Sequence, residues 1–498
     1  MNLPPLISQM LSKDFYPHAV TEPIALIQTH ISFVLLTGKY AYKVKKPMNF
    51  GFLDFSTLKK RQFFCEEELR LNRRLAPDLY LQVLPITCNH DQFRFAENSE
   101  ADVEYAIQMV QFPQENLLIN LFEQGDLTVE HVQEIGKQLA KFHSLAETNE
   151  HIASFGTAVG LKAVADDNYA CTNKYIGLAQ TQSQLDLTRA YTDQCFIDNA
   201  ALFSDRLIQG KIRECHGDLH LKNICLVDVE VQIFDCIEFN EPFRNTDVLY
   251  DASFLLMDLQ YRGRRDLANA FLNTYLELTN DYKGVLLLPL FCSMRAYIRA
   301  KVTSFLLDDP NIPEPVKATA KQEATAYYNL AYQYTQPTVG KIFMMSGLSG
   351  SGKSTTAKAL AQKHEAIHLR SDAIRKHLAG IDLMQRGDDE LYTPEMTKRT
   401  YGELLSLGIL LATHGFQVIL DAKYDRQNLR SEVIAQANVH NIALEIIYCT
   451  ADMETLRQRL SDRTQANSDI ADATPDLLAS QRFEEFTDAE NVYLAANN

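Results

Sequence analysis

The densest chemistry in the chain lies in Gly347-Leu348-Ser349-Gly350-Ser351-Gly352-Lys353-Ser354-Thr355. This run fits G-x-x-x-x-G-K-[ST], the loop that cradles phosphate groups. Its glycines let the backbone curl so that several N–H groups point inward at phosphate oxygens. A following helix adds its positive N-terminus. Lys353 is expected to reach the β/γ-phosphates of ATP, and Ser354 to ligate Mg²⁺. Gly347, Ser349, Gly350, Ser351, Gly352 and Thr355 complete the nucleotide-binding loop. The apolar run 341–346 reads as a buried strand and 356–361 as a helix, the strand–loop–helix context that the motif needs.

A second constellation sits far upstream. His216-Gly217-Asp218-Leu219-His220-Leu221-Lys222-Asn223 is followed by the apolar Val231-Gln232-Ile233-Phe234 and then Asp235. The loop pattern is H-x-D-x-x-x-x-N. An aspartate there must face an acceptor hydroxyl, while the asparagine turns back to a metal. These residues resemble the catalytic loop of the protein-kinase-like superfamily, in the variant used by aminoglycoside and choline phosphotransferases. The resemblance implies Asp218 as catalytic base, Asn223 and Asp235 as Mg²⁺ ligands, and His216 as a brace for the loop.

Upstream segments extend the likeness. Ala41-Tyr42-Lys43 resembles the third-strand lysine motif, which makes Lys43 the phosphate-binding candidate. Lys45 falls on the same face two residues on, so the assignment between the two stays open. The lysine's helix partner is one of Glu66, Glu67 and Glu68. Glu68 is preferred because Leu71 and Leu75 then share its inward side. Met109-Val110-Gln111-Phe112 stands where a hinge to adenine would lie, and Ala140-Lys141-Phe142-His143 resembles a helix of the aminoglycoside-phosphotransferase group. The chain departs from protein kinases in three places. Gln28-Thr29-His30 replaces a glycine-rich turn, Asp235-Cys236-Ile237 replaces D-F-G, and no A-P-E follows. Small-molecule acceptors are therefore expected.

Beyond the phosphate loop, a short strand ending at Arg370 is expected to lead into a helix capped by Ser371 or Asp372. Asp372 has two readings, a plain N-cap or a site residue at the carboxyl end of a strand, where parallel sheets gather their sites. Asp372-Ala373-Ile374-Arg375 resembles the small-substrate P-loop kinases of the gluconate-kinase, polynucleotide-5′-kinase and zeta-toxin groups. By that likeness Asp372 accepts the acceptor's proton and Arg375 grips an acidic group of the substrate. Phe416-Gln417-Val418-Ile419-Leu420-Asp421 reads as a strand that delivers Asp421 near Mg²⁺ or the acceptor. Arg459 and Arg463 lie one turn apart on a helix at 456–463. They resemble lid arginines that close over a transferring phosphoryl group, or they form a solvated basic face. From about Asp476 the chain is expected to turn helical.

The elements that must position these groups are legible in outline. Strands are expected at 24–28, 32–36, 40–46 and 106–110, and a helix at 56–75. A helix at 128–146 carries Val132, Ile135, Leu139, Phe142 and Leu145 on one face. Mostly helical chain then runs to about residue 334, broken at 214–240. The expected organisation is an α+β kinase-like domain at 1–335, with lobes of about 1–112 and 113–335. An α/β P-loop kinase domain with a parallel sheet follows at 339–498.

At 498 residues the chain is long enough for two or three domains, and 46% hydrophobic with 22% charged residues is ordinary for a soluble protein. A net charge of −16 disfavours nucleic-acid backbones and anionic membranes as partners. The nine cysteines contain no C-x-x-C pair, which suggests reduced thiols and a cytoplasmic location. No signal peptide or spanning segment is read. The domain order resembles bacterial proteins described as bifunctional aminoglycoside phosphotransferase and ATP-binding proteins. The resemblance implies an ATP- and Mg²⁺-dependent phosphotransferase with two nucleotide sites acting on hydroxyls of small metabolites. Two alternatives remain. In one, only the P-loop domain is active, on a nucleotide sugar or a polynucleotide 5′-end, behind a pseudokinase. In the other, the chain is a non-enzymatic ATP-dependent switch.

Overall fold

The computed structural model describes residues 3–20, 23–51, 53–96, 102–466, 469–488, 490 and 492–495. The chain divides into two compact units. The first combines Met1–His131, Lys141–Val164 and Ala200–Asp258, and the second Val132–Ala140, Ala165–Asn199 and Leu259–Asn498. Among the described residues no helix is long and apolar enough to cross a membrane.

The first unit is built on an antiparallel sheet of β1 (Ala25–Gln28), β2 (Ser32–Leu36), β3 (Tyr40–Lys45), β4 (Tyr80–Asn89), β5 (Gln92–Phe95) and β6 (Asp102–Val110). Their spatial order is β1-β2-β3-β6-β4-β5. Alternation along β3 decides what each face does. Tyr42 and Val44 enter a core with Phe33, Leu35 and Ile86. Lys43 and Lys45 then share the opposite face, towards Glu68 on the helix Leu58–Asn72. Thr57 caps that helix by accepting the N–H of Lys60. The break at 214–240 becomes β7 (Ile212–Glu214), β8 (Ile224–Val227) and β9 (Glu230–Ile233). β10 (Asn245–Asp247) pairs back with β7, and the helix Val248–Tyr261 follows.

The 128–146 expectation is met by the helix Val129–Leu145, with Val132, Ile135, Leu139 and Phe142 buried. Leu145 is a correction. It is 75% exposed, and Ala146 is buried in the position the apolar stripe reaches next.

In the second unit β11 (Lys341–Ser346), β12 (Ile367–Arg370), β13 (Gln417–Asp421), β14 (Ala443–Tyr448) and β15 (Val492–Leu494) form an all-parallel sheet. Its order is β12-β13-β11-β14-β15, which puts the phosphate-loop strand at the centre. Ile342, Phe343, Met344 and Met345 are all buried, as a strand covered on both faces requires. Two local expectations are corrected. The helix Ser371–Ala379 begins after Arg370 with no side-chain cap, so Asp372 lies in its first turn and is not the cap. The helical stretch from 476 is only the short 3₁₀ turn Pro475–Ser480.

Candidate active sites

In the first unit two lysines and three carboxylates form one buried network. Glu68, fully buried, accepts Lys43 Nζ at 2.7 Å on one oxygen and Lys45 Nζ at 2.5 Å on the other. Lys43 alone continues to Asp235, at 2.7 Å. Lys45 turns instead to Glu238 and lies over the Phe55 ring. The two other candidate glutamates are engaged elsewhere, Glu66 with Gln62 and Glu67 with Arg70. Burial presses the Glu68 carboxyl upward, but the two ammonium groups outweigh it and hold it at about 2. Glu238 keeps a raised value, because burial is there only partly offset by Lys45. Sequence reasoning missed Glu238, whose only signal is its place three residues after Asp235 on a buried turn.

Asp218, Asn223 and Asp235 are held by a shared hydrogen-bond frame. Asn223 donates to the Asp218 carbonyl at 3.0 Å and to its carboxylate at 3.2 Å. His216 accepts the Asp218 N–H at 3.2 Å through Nδ1 and donates to the Phe234 carbonyl at 2.8 Å through Nε2, one residue before Asp235. That pairing selects the Nε2–H tautomer. Asp235 itself is left-handed, with φ of 63°, an unusual backbone that clusters at working sites. Beneath the loop, Asp251 accepts the N–H groups of His216 and Gly217 and the imidazole of His143. Cys215 joins them within 4.8 Å, a set that could hold a metal ion. Cys215 donates to the Thr246 carbonyl and Asp251 already has three donors, so these groups are satisfied as a buried hydrogen-bonded knot.

In the second unit the phosphate loop joins β11 to the helix Lys353–His364. Gly347, Gly350 and Gly352 all have positive φ. A Cβ on Gly347 would stand 2.1 Å from the Cys449 carbonyl oxygen. Gly347→Ala is therefore expected to cost at least about 2 kcal/mol and to abolish nucleotide binding, measurable by thermal denaturation with and without ATP. The loop has donors in place for an anion. Ser351 Oγ is buried without a partner among the described residues. Lys353 is buried and donates to the Leu348 carbonyl at 2.7 Å. Burial lowers its pKa, with Asp421 pulling the other way. Gln481 bridges the Ser349 N–H and hydroxyl from the C-terminal segment. A glycine loop at a helix N-terminus, with the Ser351 hydroxyl and the Lys353 ammonium beside it, fits a polyphosphate. Ser354, on the first helical turn, and Asp421, at the end of β13, supply hard oxygen donors suited to Mg²⁺.

The residues expected beside the phosphate loop lie at the ends of β12 and β13 and on the helices that follow. Asp421 accepts His368 Nε2 at 3.0 Å. Burial opposes its ionisation, but His368, Arg370 and Lys353 bring it down to about 2. Asp372 is half-buried, and desolvation raises its pKa against the pull of Arg370. Arg375 is buried, donates through Nη1 to the Leu391 carbonyl and Thr397, and lies beneath the Tyr392 ring. Its Nε has no partner among the described residues. Lys376, Gly387 and Tyr392 are gathered by Asp472, a wall that sequence reasoning did not foresee. Arg463 donates to the Ala473 carbonyl at 2.9 Å, tying the helix Met453–Ala466 to the segment after it. Arg459 is exposed, with a guanidinium nitrogen 3.5 Å from where a Gly352 Cβ would be.

Comparison with known proteins adds context. Residues 342–484 match a family model described as an AAA domain. Uncharacterized proteins of Mycobacterium bovis and Mycobacterium tuberculosis are each 29% identical over 469 residues, covering 93% of this chain and 91% of theirs. Among solved structures, a choline/ethanolamine kinase family protein from Mesorhizobium loti is 11% identical. It covers 66% of this chain and 99% of its own, with a TM-score of 0.41. The APS kinase CysC of Mycobacterium tuberculosis is 17% identical and covers 32% of this chain and 92% of its own, with a TM-score of 0.25.

Proposed function

We propose that this chain is an ATP- and Mg²⁺-dependent phosphotransferase with two nucleotide sites, each passing the γ-phosphate to a hydroxyl of a small metabolite of sugar or sugar-phosphate type. One catalytic half is the kinase-like segment 1–335 and the other the P-loop segment 339–498. The observation that carries the reading is the gathering, at the carboxyl end of one parallel sheet, of a glycine phosphate loop, the buried Lys353, Asp421, Asp372 and the unsatisfied Nε of Arg375.

At the P-loop site the backbone donors of 347–352, with Ser351 and Lys353, would bind the phosphates, and Thr355 borders them. Ser354 and Asp421 would hold Mg²⁺, which would supply charge neutralisation for the phosphates. Asp372 would take the proton of the acceptor hydroxyl as its oxygen bonds to phosphorus and the bond to ADP breaks. Arg375 would hold an anionic group of the acceptor through Nε. Arg459 and Arg463 would close over the transferring group. At the first-unit site Lys43, aligned by Glu68, would hold phosphates. Asn223 and Asp235 would take the metal, and Asp218 would be the base. At both sites the chemistry is mainly positioning and charge neutralisation.

The test is transfer of labelled γ-phosphate from ATP into a cytosolic metabolite extract, comparing wild type with Asp218→Asn and Lys353→Ala. One labelled small molecule should vanish in each variant. ATP binding without any labelled product would favour an ATP-dependent switch. A product lost only in Lys353→Ala would reduce the first unit to a pseudokinase.

A further inference from the structure

β12 is an edge strand of the parallel sheet, and its outer backbone groups need partners. Two of those along this edge, the Ala366 carbonyl and the His368 N–H, find them on the helix Arg265–Thr279, which belongs to the same compact unit but lies roughly a hundred residues earlier in the chain, and the His368 carbonyl accepts the Tyr282 hydroxyl at 3.5 Å. The Asn273 side chain accepts the N–H of His368 at 2.8 Å and donates to the Ala366 carbonyl at 2.9 Å, as a neighbouring strand would. Asn269 adds a second donor to Ala366. One turn beyond Asn273, Glu277 accepts the Arg370 guanidinium at 2.7 Å, and Asp469 takes its other arm at 2.6 Å. His377 pins the end of the helix by donating to the Glu277 carbonyl.

Arg370 is the pivot. It is buried, ends β12 directly across the register from Asp421, and precedes the helix that carries Asp372. Its charge acts on both carboxylates. A buried guanidinium that loses one of two carboxylate partners takes the nearest replacement, because an unpaired buried charge is costly. The replacements here are Asp372 and Asp421.

We infer that the helix Arg265–Thr279 is a working part of the P-loop site, with Asn273 completing the edge of β12 and Glu277 holding Arg370 off the carboxylates of Asp372 and Asp421. Glu277 is thus a positioning residue. This rests on Asp372 being the base of that site.

The experiment uses the full-length chain carrying Asp218→Asn, so that turnover reports the P-loop site, and reads ATP hydrolysis with water in the acceptor's place. Glu277→Gln should lower kcat about tenfold while KM for ATP moves less than about twofold, because the phosphate loop is untouched. Glu277→Asp, one methylene shorter, should fall between. In an Arg370→Gln background Glu277→Gln should have no further effect, since the group it restrains is gone. Asn273→Ala should speed hydrogen exchange at the His368 amide. Unchanged kcat in folded Glu277→Gln, or full additivity with Arg370→Gln, would overturn the inference. If Glu277→Gln does not fold, Glu277→Asp carries the same decision. Wild-type turnover in Asp372→Asn would instead sink the base assignment and leave the structural link standing.

Discussion

Asp372→Asn should cut phosphoryl transfer at the P-loop site by about 10²–10⁴-fold while leaving ATP affinity near wild type. The substitution keeps the size of the side chain and removes its capacity to take a proton together with its negative charge. Asp372 stands in the first turn of its helix, free of any capping duty, so the helix loses no cap. The pH profile gives a second reading of the same carboxyl. Desolvation raises its pKa, Arg370 and Arg375 lower it, and Asp421 and Asp469 raise it again. Lys353 and the phenols of Tyr392 and Tyr401 also face it. A base must be ionised to work. Activity should therefore be full above this raised pKa and fall as pH drops through it, at a higher pH than an ordinary aspartate would give. Steady-state kinetics of wild type across the acid range, beside Asp372→Asn at neutral pH, checks both parts. A variant with wild-type kcat would remove Asp372 from the chemistry.

What the sequence made legible divides along physical lines. Motifs whose chemistry lies in residue type and local spacing could be read directly, because the phosphate loop and the strand before it are contiguous. Strand β11 matches its expected limits, residue for residue. Strand β4 was not foreseen. Pro85 interrupts it, and two register shifts against β6 blur its alternation. Strand β15 has only three residues and is held from outside. Arg430 is fully buried, pairs with Glu490 and lies against Phe486, which fixes the segment that β15 ends. Lys43 and Lys45 could not be separated by spacing, since β3 gives them one face. Their tertiary partners, Asp235 for Lys43 and Glu238 for Lys45, each nearly two hundred residues away, distinguish them. Long-range partners such as His368 for Asp421 and Asp472 for Lys376 have no local signature.

Glu68→Gln should destabilise the first unit by about 3–5 kcal/mol and erase its phosphotransfer while the product of the P-loop site persists. The carboxylate is fully buried and serves both lysines at once, one on each oxygen. An amide can accept from one ammonium but presents the other with N–H groups, leaving a buried cation short of a counter-charge. Lys45 keeps Glu238, and Lys43 keeps only Asp235, so Lys43 should swing towards the side where metal and phosphates are proposed to bind. Glu238→Gln makes the contrasting control. Lys45 then still has one Glu68 oxygen and Lys43 keeps both of its carboxylate partners, so an amide there should cost less than Glu68→Gln does. The pH dependence has a definite sign. The folded-state pKa of Glu68 is depressed to about 2, so its contribution is complete above the unfolded-state value near 4.5 and is lost as pH falls towards 2. The wild-type advantage over Glu68→Gln should therefore shrink below about pH 4. Denaturant titrations of the first unit's transition at pH 7 and pH 3, with ATP-transfer assays on the same preparations, read all three effects. A loss under about 1 kcal/mol at pH 7 would mean that solvent, and not Glu68, balances the two lysines.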